Sequence, residues 1–205
     1  MNGGSVSVER TPMPVIDGLL LAAGYSSRMG EFKPLMEHDG LPFVVGIARK
    51  MSRVCRRVVV VLGHRGDDIR AAFASQTPIE SLEFVENPRF DSGMFTSLQA
   101  GVAALAGADW MLYHFADQPH VPEEFYIEFA GQAQPEFDCL QPVYHSHKGH
   151  PLLLHRSLFA SIQSAAQDQT LRDVLREFHA RVNLWECPFP QVLHDFDTPG
   201  DLERA

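Results

Sequence analysis

With 205 residues, 45% of them apolar and 21% charged, the chain has the material for a buried core of ordinary size. A formal net charge of -9 excludes a nucleic-acid coat, which needs a basic surface, but leaves room for one nucleotide held by a local cationic loop and a divalent metal. No apolar run reaches the length of a membrane span, and Cys55, Cys139 and Cys187 lack the C-x-x-C spacing of a zinc site or a disulfide framework. A reducing, cytoplasmic setting is expected, with no membrane partner. Residues 1–14 carry Gly, Ser and Pro without an apolar leader, so they read as a flexible tail before a single domain over 15–205.

In chain order, residues 15–22 read as a buried strand, a near-continuous apolar run ending at glycine. Residues 42–54 have helical spacing through Phe43, Ile47 and Met51. Residues 57–62 are a second buried strand closed by Gly63-His64-Arg65-Gly66, and 67–73 a helix with acidic residues in its first turn. A short strand at 82–85, a helix at 94–105, a buried strand at 110–115 and a helix at 122–131 follow. Beyond about 135 the rhythm changes. Strands are expected at 139–144 and 151–155 around a Gly149-His150-Pro151 turn, helices at 157–166 and 170–178, and a strand at 182–186. Thr198 and Pro199 suit the start of a last short helix. The alternation predicts an α/β fold, a mostly parallel sheet with ligands at the carboxyl ends of its strands. Gly24, Gly63 and Asp117 all stand just past such ends.

The segment from Leu21 to Pro34 joins the first strand to a loop of small residues: Leu21, Ala22, Ala23, Gly24, then Ser26, Arg28, Gly30 and Lys33. Exposed backbone N–H groups in such a loop make an anion-binding concavity. Arg28 offers a planar fork to phosphate oxygens and Lys33 a mobile point charge. A polyphosphate is the ligand these residue types suit. Glu31, not lysine, follows Gly30, and Ser26 replaces the second glycine of G-x-G-x-x-G, so neither common phosphate motif applies. Asp117 offers Mg²⁺ an oxygen ligand at the same edge, or caps the next helix. Asp195 and Asp197 alternate and face one side of an extended segment, where they either share a metal or cap a helix. Ser97 is a donor and acceptor at a helix start, and also a natural capping hydroxyl. His145, His147 and His150 are open to a surface loop or a zinc site, the latter without a carboxylate or thiolate within the run. His64 follows the second strand and could approach a base, whereas His114 inside a strand reads as a satisfied core residue.

The pattern L-A-A-G-x-S-x-R-M-G-x-x-K resembles the signature loop of the MobA-like nucleotidyltransferases. Asn87-Pro88 with Gly93-Met94 and Ser97-Leu98, then Asp117-Gln118-Pro119 and Gly149-His150-Pro151, resemble the cytidylyltransferase branch of that family, and the closing D-F-D-T-P-G-D resembles its last motif. The resemblance runs from Leu19 to Leu202. It implies a Rossmann-like three-layer α/β/α fold of the nucleotide-diphospho-sugar transferase type. It also implies transfer of a CMP group from CTP to the phosphate of molybdopterin with pyrophosphate released, serving a molybdoenzyme. By this resemblance Arg28, Lys33 and Asp117 are catalytic. Leu21, Ala22, Ala23, Gly24, Ser26, Arg28, Lys33, Gly63, Gly93 and Ser97 bind the nucleotide, and Gly149 and His150 bind the acceptor. Asp117 and Asp197, with Asp195 nearby, hold Mg²⁺ or Mn²⁺. Two departures stand out: Gly200 replaces the family's glutamate, and Gln167 to Arg172 replaces its G-D-x-G-[AS]-R segment near the acceptor. A sugar phosphate acceptor, or a non-catalytic nucleotide or pterin chaperone, are the alternatives.

Overall fold

The computed structural model describes residues 13–25 and 32–196. The apolar runs form strands and the periodic segments form helices, in the order β1 (Ile16–Leu21), β2 (Glu37–His38), β3 (Leu41–Pro42), α1 (Phe43–Met51), β4 (Val58–Leu62), α2 (Gly66–Ala74), β5 (Leu82–Glu86) and α3 (Met94–Ala104). They continue with β6 (Trp110–Phe115), α4 (Glu123–Ala130), β7 (Cys139–Tyr144), β8 (His147–Lys148), β9 (Leu152–His155), α5 (Phe159–Ser164), α6 (Leu171–Glu177) and β10 (Val182–Glu186). α6 begins at a capping box: the Thr170 hydroxyl accepts from the Asp173 N–H and the Asp173 carboxylate accepts from the Thr170 N–H. The last helix expected at Thr198 lies outside the described residues.

Seven strands lie in the order β10-β7-β9-β6-β1-β4-β5, with β8 paired to β7 beside that path. β6, β1, β4 and β5 are mutually parallel and β10 runs parallel to β7, while β9 is antiparallel to both its neighbours. β1 is central. The chain moves from β1 to β4 and β5 on one side, then crosses to β6 on the other. The crevice between β1 and β6 is therefore a topological switch point, where helical connections diverge and leave a cleft.

Buried strands supply both faces. Leu20, Val58, Val60, Trp110 and Leu112 meet α1, α2 and α4, including Ile47, Ile69, Phe125 and Phe129. Leu19, Leu21, Val59, Val61, Met111 and Tyr113 meet α3, α5 and α6 through Leu98, Val102, Ile162 and Val174. The result is the expected three-layer α/β/α arrangement. At the opposite strand ends, the fully buried Asp17 carboxylate receives both Arg56 and Arg57, so its charge is compensated.

Two expectations need correction. The turn between β7 and its return strand is not at Gly149-His150-Pro151. It falls at His145 and Ser146, both left-handed (φ 47 and 69), and pairs β7 with the two-residue β8. The Glu186 carboxylate accepts from the His145 N–H and steadies this turn, a long-range contact that local propensity does not encode. The hairpin of β2 and β3 was not expected either, because its strands are too short to alternate.

His114 is a core residue, as its position in a strand implies. Its ring lies between the Phe115 N–H, which donates to Nδ1, and the Tyr126 hydroxyl at 2.9 Å from Nε2. Burial, first, and the nearby His150 pull its pKa down to about 3. The unfolded chain then takes up a proton near pH 6.5 that the native chain refuses. Stability is thus fully present above about pH 6.5 and is lost as pH falls toward 3. Tm measured across that range should fall with acid, and a His114→Gln variant should show a shallower fall from a lower starting Tm.

Candidate active site

The sheet register builds the site. Leu21 stands opposite Phe115 in β6 and opposite Val61 in β4. Pairing continues one residue further on each side: the Ala22 N–H donates to Val61 O and the Ala116 N–H to Leu21 O. The loop after β1 and Asp117 after β6 are consequently neighbours. Between them opens a cavity of about 710 Å³ lined by Leu21, Ala22, Ala23, Gly24, Lys33, Pro34, Phe90, Gly93, Met94, Ser97, Phe115, Ala116 and Asp117. A nucleotide fits this volume.

Seven of the ten residues expected to bind nucleotide, and both described residues expected to be catalytic, line that cavity. Lys33 is half-buried and starts a 3-10 turn, Lys33–Leu35, in which Pro34 supplies a preset φ. Gly93 enters α3 at φ 111 and ψ 162, a conformation open to glycine and strained for other residues. Ser26, Arg28 and Asp197 lie outside the described residues. Gly63 is not on this cavity's wall; it packs beneath Phe90. A Cβ there would lie 2.6 Å from that of Phe90 and 2.8 Å from the Ala23 carbonyl oxygen. A Cβ on Gly24 meets nothing within 4 Å among the described residues. The two glycines should therefore separate on substitution to alanine. Gly63→Ala should destabilise by about 1–3 kcal/mol through overpacking. Gly24→Ala should leave Tm unchanged while weakening nucleotide binding, as calorimetry would read for both.

The C-terminal segment is stitched to the same edge. The Phe196 N–H donates to Asp117 O at 2.9 Å, and the Gln118 side-chain amide donates to Asp195 Oδ1 at 2.8 Å. The Phe196 ring is buried against Phe43 and His120. Asp195 is exposed, off the cavity wall, and one hydrogen bond from the residue after Asp117. Asp197 is the next residue after the anchored Phe196.

Gly149 and His150 lie behind the wall rather than on it. Gly149 is buried, and a Cβ there would lie 2.5 Å from Val192 O. The His150 ring packs edge-on against Phe115 at 5.0 Å. Burial lowers its pKa, against the opposing pull of Asp195. His145 and His147 are exposed, and the described residues contain no cluster of three or more His, Cys, Asp or Glu suited to a metal. His64 is half-buried, its N–H donating to Ala23 O and its ring 4.8 Å from Tyr25.

Sequence reasoning missed several supports. Lys50 of α1 donates to the carbonyls of Pro119 at 2.6 Å and Val121 at 2.9 Å, and so grips the loop that carries Asp117. Burial lowers its pKa, while Asp39, Glu123 and Glu124 raise it. Nothing in the local sequence marks Lys50, since its partners lie 69 and 71 residues away. Gln118, read only as part of a motif, ties the two ends of the site together. Phe90, Met94 and Phe115 give the cavity apolar walls, of the kind on which a planar ring packs.

A mostly parallel sheet with a small-residue loop, a lysine and an aspartate converging at its switch point defines a nucleotide-handling α/β transferase. The chain belongs to the MobA-like NTP transferase family, whose domain description matches residues 18–182. It is 25% identical over 194 residues to a molybdenum cofactor cytidylyltransferase of Escherichia coli strain K12, covering 94% of this chain and 96% of that one. It is also 28% identical over 203 residues to a nicotine blue oxidoreductase of Paenarthrobacter nicotinovorans, covering 95% and 98%. The fold is similar to that of Rv0371c from Mycobacterium tuberculosis solved in complex with manganese, with a TM-score of 0.71 at 21% identity over 93% of this chain and 97% of that one. This is a nucleotidyltransferase related to enzymes of molybdenum cofactor biosynthesis. No helix among the described residues is long and apolar enough to cross a membrane.

Proposed function

We propose that the chain transfers the cytidylyl group of CTP to the terminal phosphate of molybdopterin in the cytoplasm and releases pyrophosphate. The observation that carries this reading is the convergence of the Gly24 loop, Lys33 and Asp117 on one cavity, with Gly93 and Ser97 on its wall. The acceptor phosphate is already ionised, so no protein nucleophile or base is needed. An acceptor oxygen attacks the α-phosphorus in line; the new O–P bond forms as the bond to the β-phosphate oxygen breaks, and pyrophosphate leaves with that electron pair. Catalysis is then positioning plus charge neutralisation. Lys33 and the backbone N–H groups of the loop hold the triphosphate and take up the charge that develops on the leaving group. Arg28 adds to that cationic grip.

Asp117 and Asp195, which share one edge of the sheet with the phosphate loop, fit a hard divalent cation such as Mg²⁺ or Mn²⁺, and Asp197 would add a further carboxylate to that set. Such an ion, when bound, supplies charge neutralisation at the phosphates. Lys50 and Gln118 keep the Asp117 loop in place for it. His150, behind Phe115, supports the acceptor side of the cavity.

The test is pyrophosphate release with CTP, GTP, ATP and UTP in Mg²⁺, with and without molybdopterin. Release only with CTP and molybdopterin supports the reading in full. Release with another nucleotide, or with a sugar phosphate in place of molybdopterin, moves the substrate and keeps the reaction. Binding of nucleotide and pterin without pyrophosphate marks a chaperone. Oxidation of NADH or NADPH without pyrophosphate would overturn the transfer reaction.

A further inference from the structure

Asn87 directly follows β5 and is 2% exposed. Its carboxamide has no freedom of direction. The Arg89 N–H donates to Oδ1 at 3.0 Å, which leaves Nδ2 to donate to the hydroxyls of Thr96 and Ser97, both at 2.9 Å. Thr96 in turn gives its single proton to the carbonyls of Gly93 and Arg89, at 2.8 and 2.9 Å. Thr96 is thereby committed on both sides. Ser97 is not. It accepts the second amide hydrogen of Asn87, while among the described residues its own proton reaches no protein acceptor. A hydroxyl has one proton to give. Because Ser97 lines the cavity, that proton is left for the ligand.

We infer that Asn87 is a positioning residue that biases Ser97 toward donating its hydrogen bond into the cavity, so the nucleoside end of the ligand presents an acceptor atom at that wall. The inference rests on the nucleotide reading above and deepens it. The phosphate end is held by Lys33 and the Gly24 loop. The wall formed by Phe90, Gly93, Met94 and Ser97 is left for the base and ribose. A serine in the first turn of a helix without such a partner is free to turn its proton onto a backbone carbonyl and offer lone pairs instead. Asn87 fills one of the two lone pairs of Ser97 and so tilts its hydroxyl toward donation, and among the described residues no carbonyl takes that proton. A carboxylate at position 87 would reverse it: the Arg89 N–H would still find an oxygen, but Ser97 would donate inward and present only lone pairs to the cleft.

The test is equilibrium binding of CTP and, separately, of pyrophosphate in Mg²⁺ to the full chain. The proteins are the wild type, Ser97→Ala, Asn87→Asp and the double variant, with Tm recorded for each. Each single change should weaken CTP binding about three- to tenfold, the worth of one hydrogen bond. The double variant should be no weaker than Asn87→Asp alone, and pyrophosphate binding should not move in any of them. CTP affinity unchanged in Ser97→Ala, or losses that multiply in the double variant, would overturn the inference. Should Asn87→Asp not fold, Asn87→Ser removes the amide donors without adding charge and takes its place in the cycle. A wild type that binds no nucleoside triphosphate sinks the functional reading and this inference with it. A wild type that binds CTP, with variants that bind equally well, sinks the inference alone.

Discussion

Replacing Lys33 by alanine should lower kcat/KM for the transfer by roughly 10²–10³-fold, corresponding to about 2–4 kcal/mol of lost transition-state stabilisation, the range seen when one preorganised donor is removed. The physical reason is local. Lys33 is half-buried on the cavity wall and leads a 3-10 turn with Pro34, so its backbone is in place beside the cavity before the ligand arrives. Little else needs to move when negative charge builds on the departing pyrophosphate. Tm should change far less than the rate, because Lys33 is half-buried on the cavity wall rather than in the core. Steady-state kinetics beside a thermal melt would check both halves. An alanine variant with unchanged Tm and normal kcat/KM would remove Lys33 from the mechanism.

Asp117→Asn should be more damaging, by about 10³-fold or more in kcat, since a carboxylate proposed to hold a divalent ion would be exchanged for a weak neutral ligand, with several kcal/mol of charge stabilisation lost. The amide is nearly the same size, so packing around Ala116 and Gln118 is preserved. Titration of activity with Mg²⁺ separates a metal role from a capping role. A metal ligand predicts a rise in the Mg²⁺ concentration needed for half-activation as well as a lower ceiling. A cap predicts little change in either Tm or the Mg²⁺ dependence, because asparagine caps a helix about as well as aspartate.

Much of this arrangement was legible from residues 15–24 and 110–117. A buried-type strand that ends in Ala-Ala-Gly, and another that ends in Ala-Asp, place chemistry at strand ends by simple alternation. The burial of His114 was legible for the same reason: it sits in an apolar run. The turn after β7 was not. His145 and Ser146 adopt left-handed backbone while Gly149, the better turn former, does not, because a carboxylate from β10 caps the turn and Val192 closes over Gly149. That choice is made by contacts more than forty residues distant.

By itself, the sequence determined most of the segments that become strands and helices, and which short stretches hold residue types suited to phosphate and metal. Both are local properties: side-chain periodicity selects an element, and residue type selects what its end can bind. Only the tertiary structure decided which of those residues share a cavity. Gly63 and Gly149, expected as ligand contacts, stand in tightly packed positions off that cavity's wall, while Lys50, which carried no signal, and Asn87 and Gln118, read only within motifs, position the loops around it. The reason is that a side chain's neighbours are set by sheet order and register, which pair Leu21 with both Phe115 and Val61. No spacing along the chain encodes which side of β1 the next strand will take.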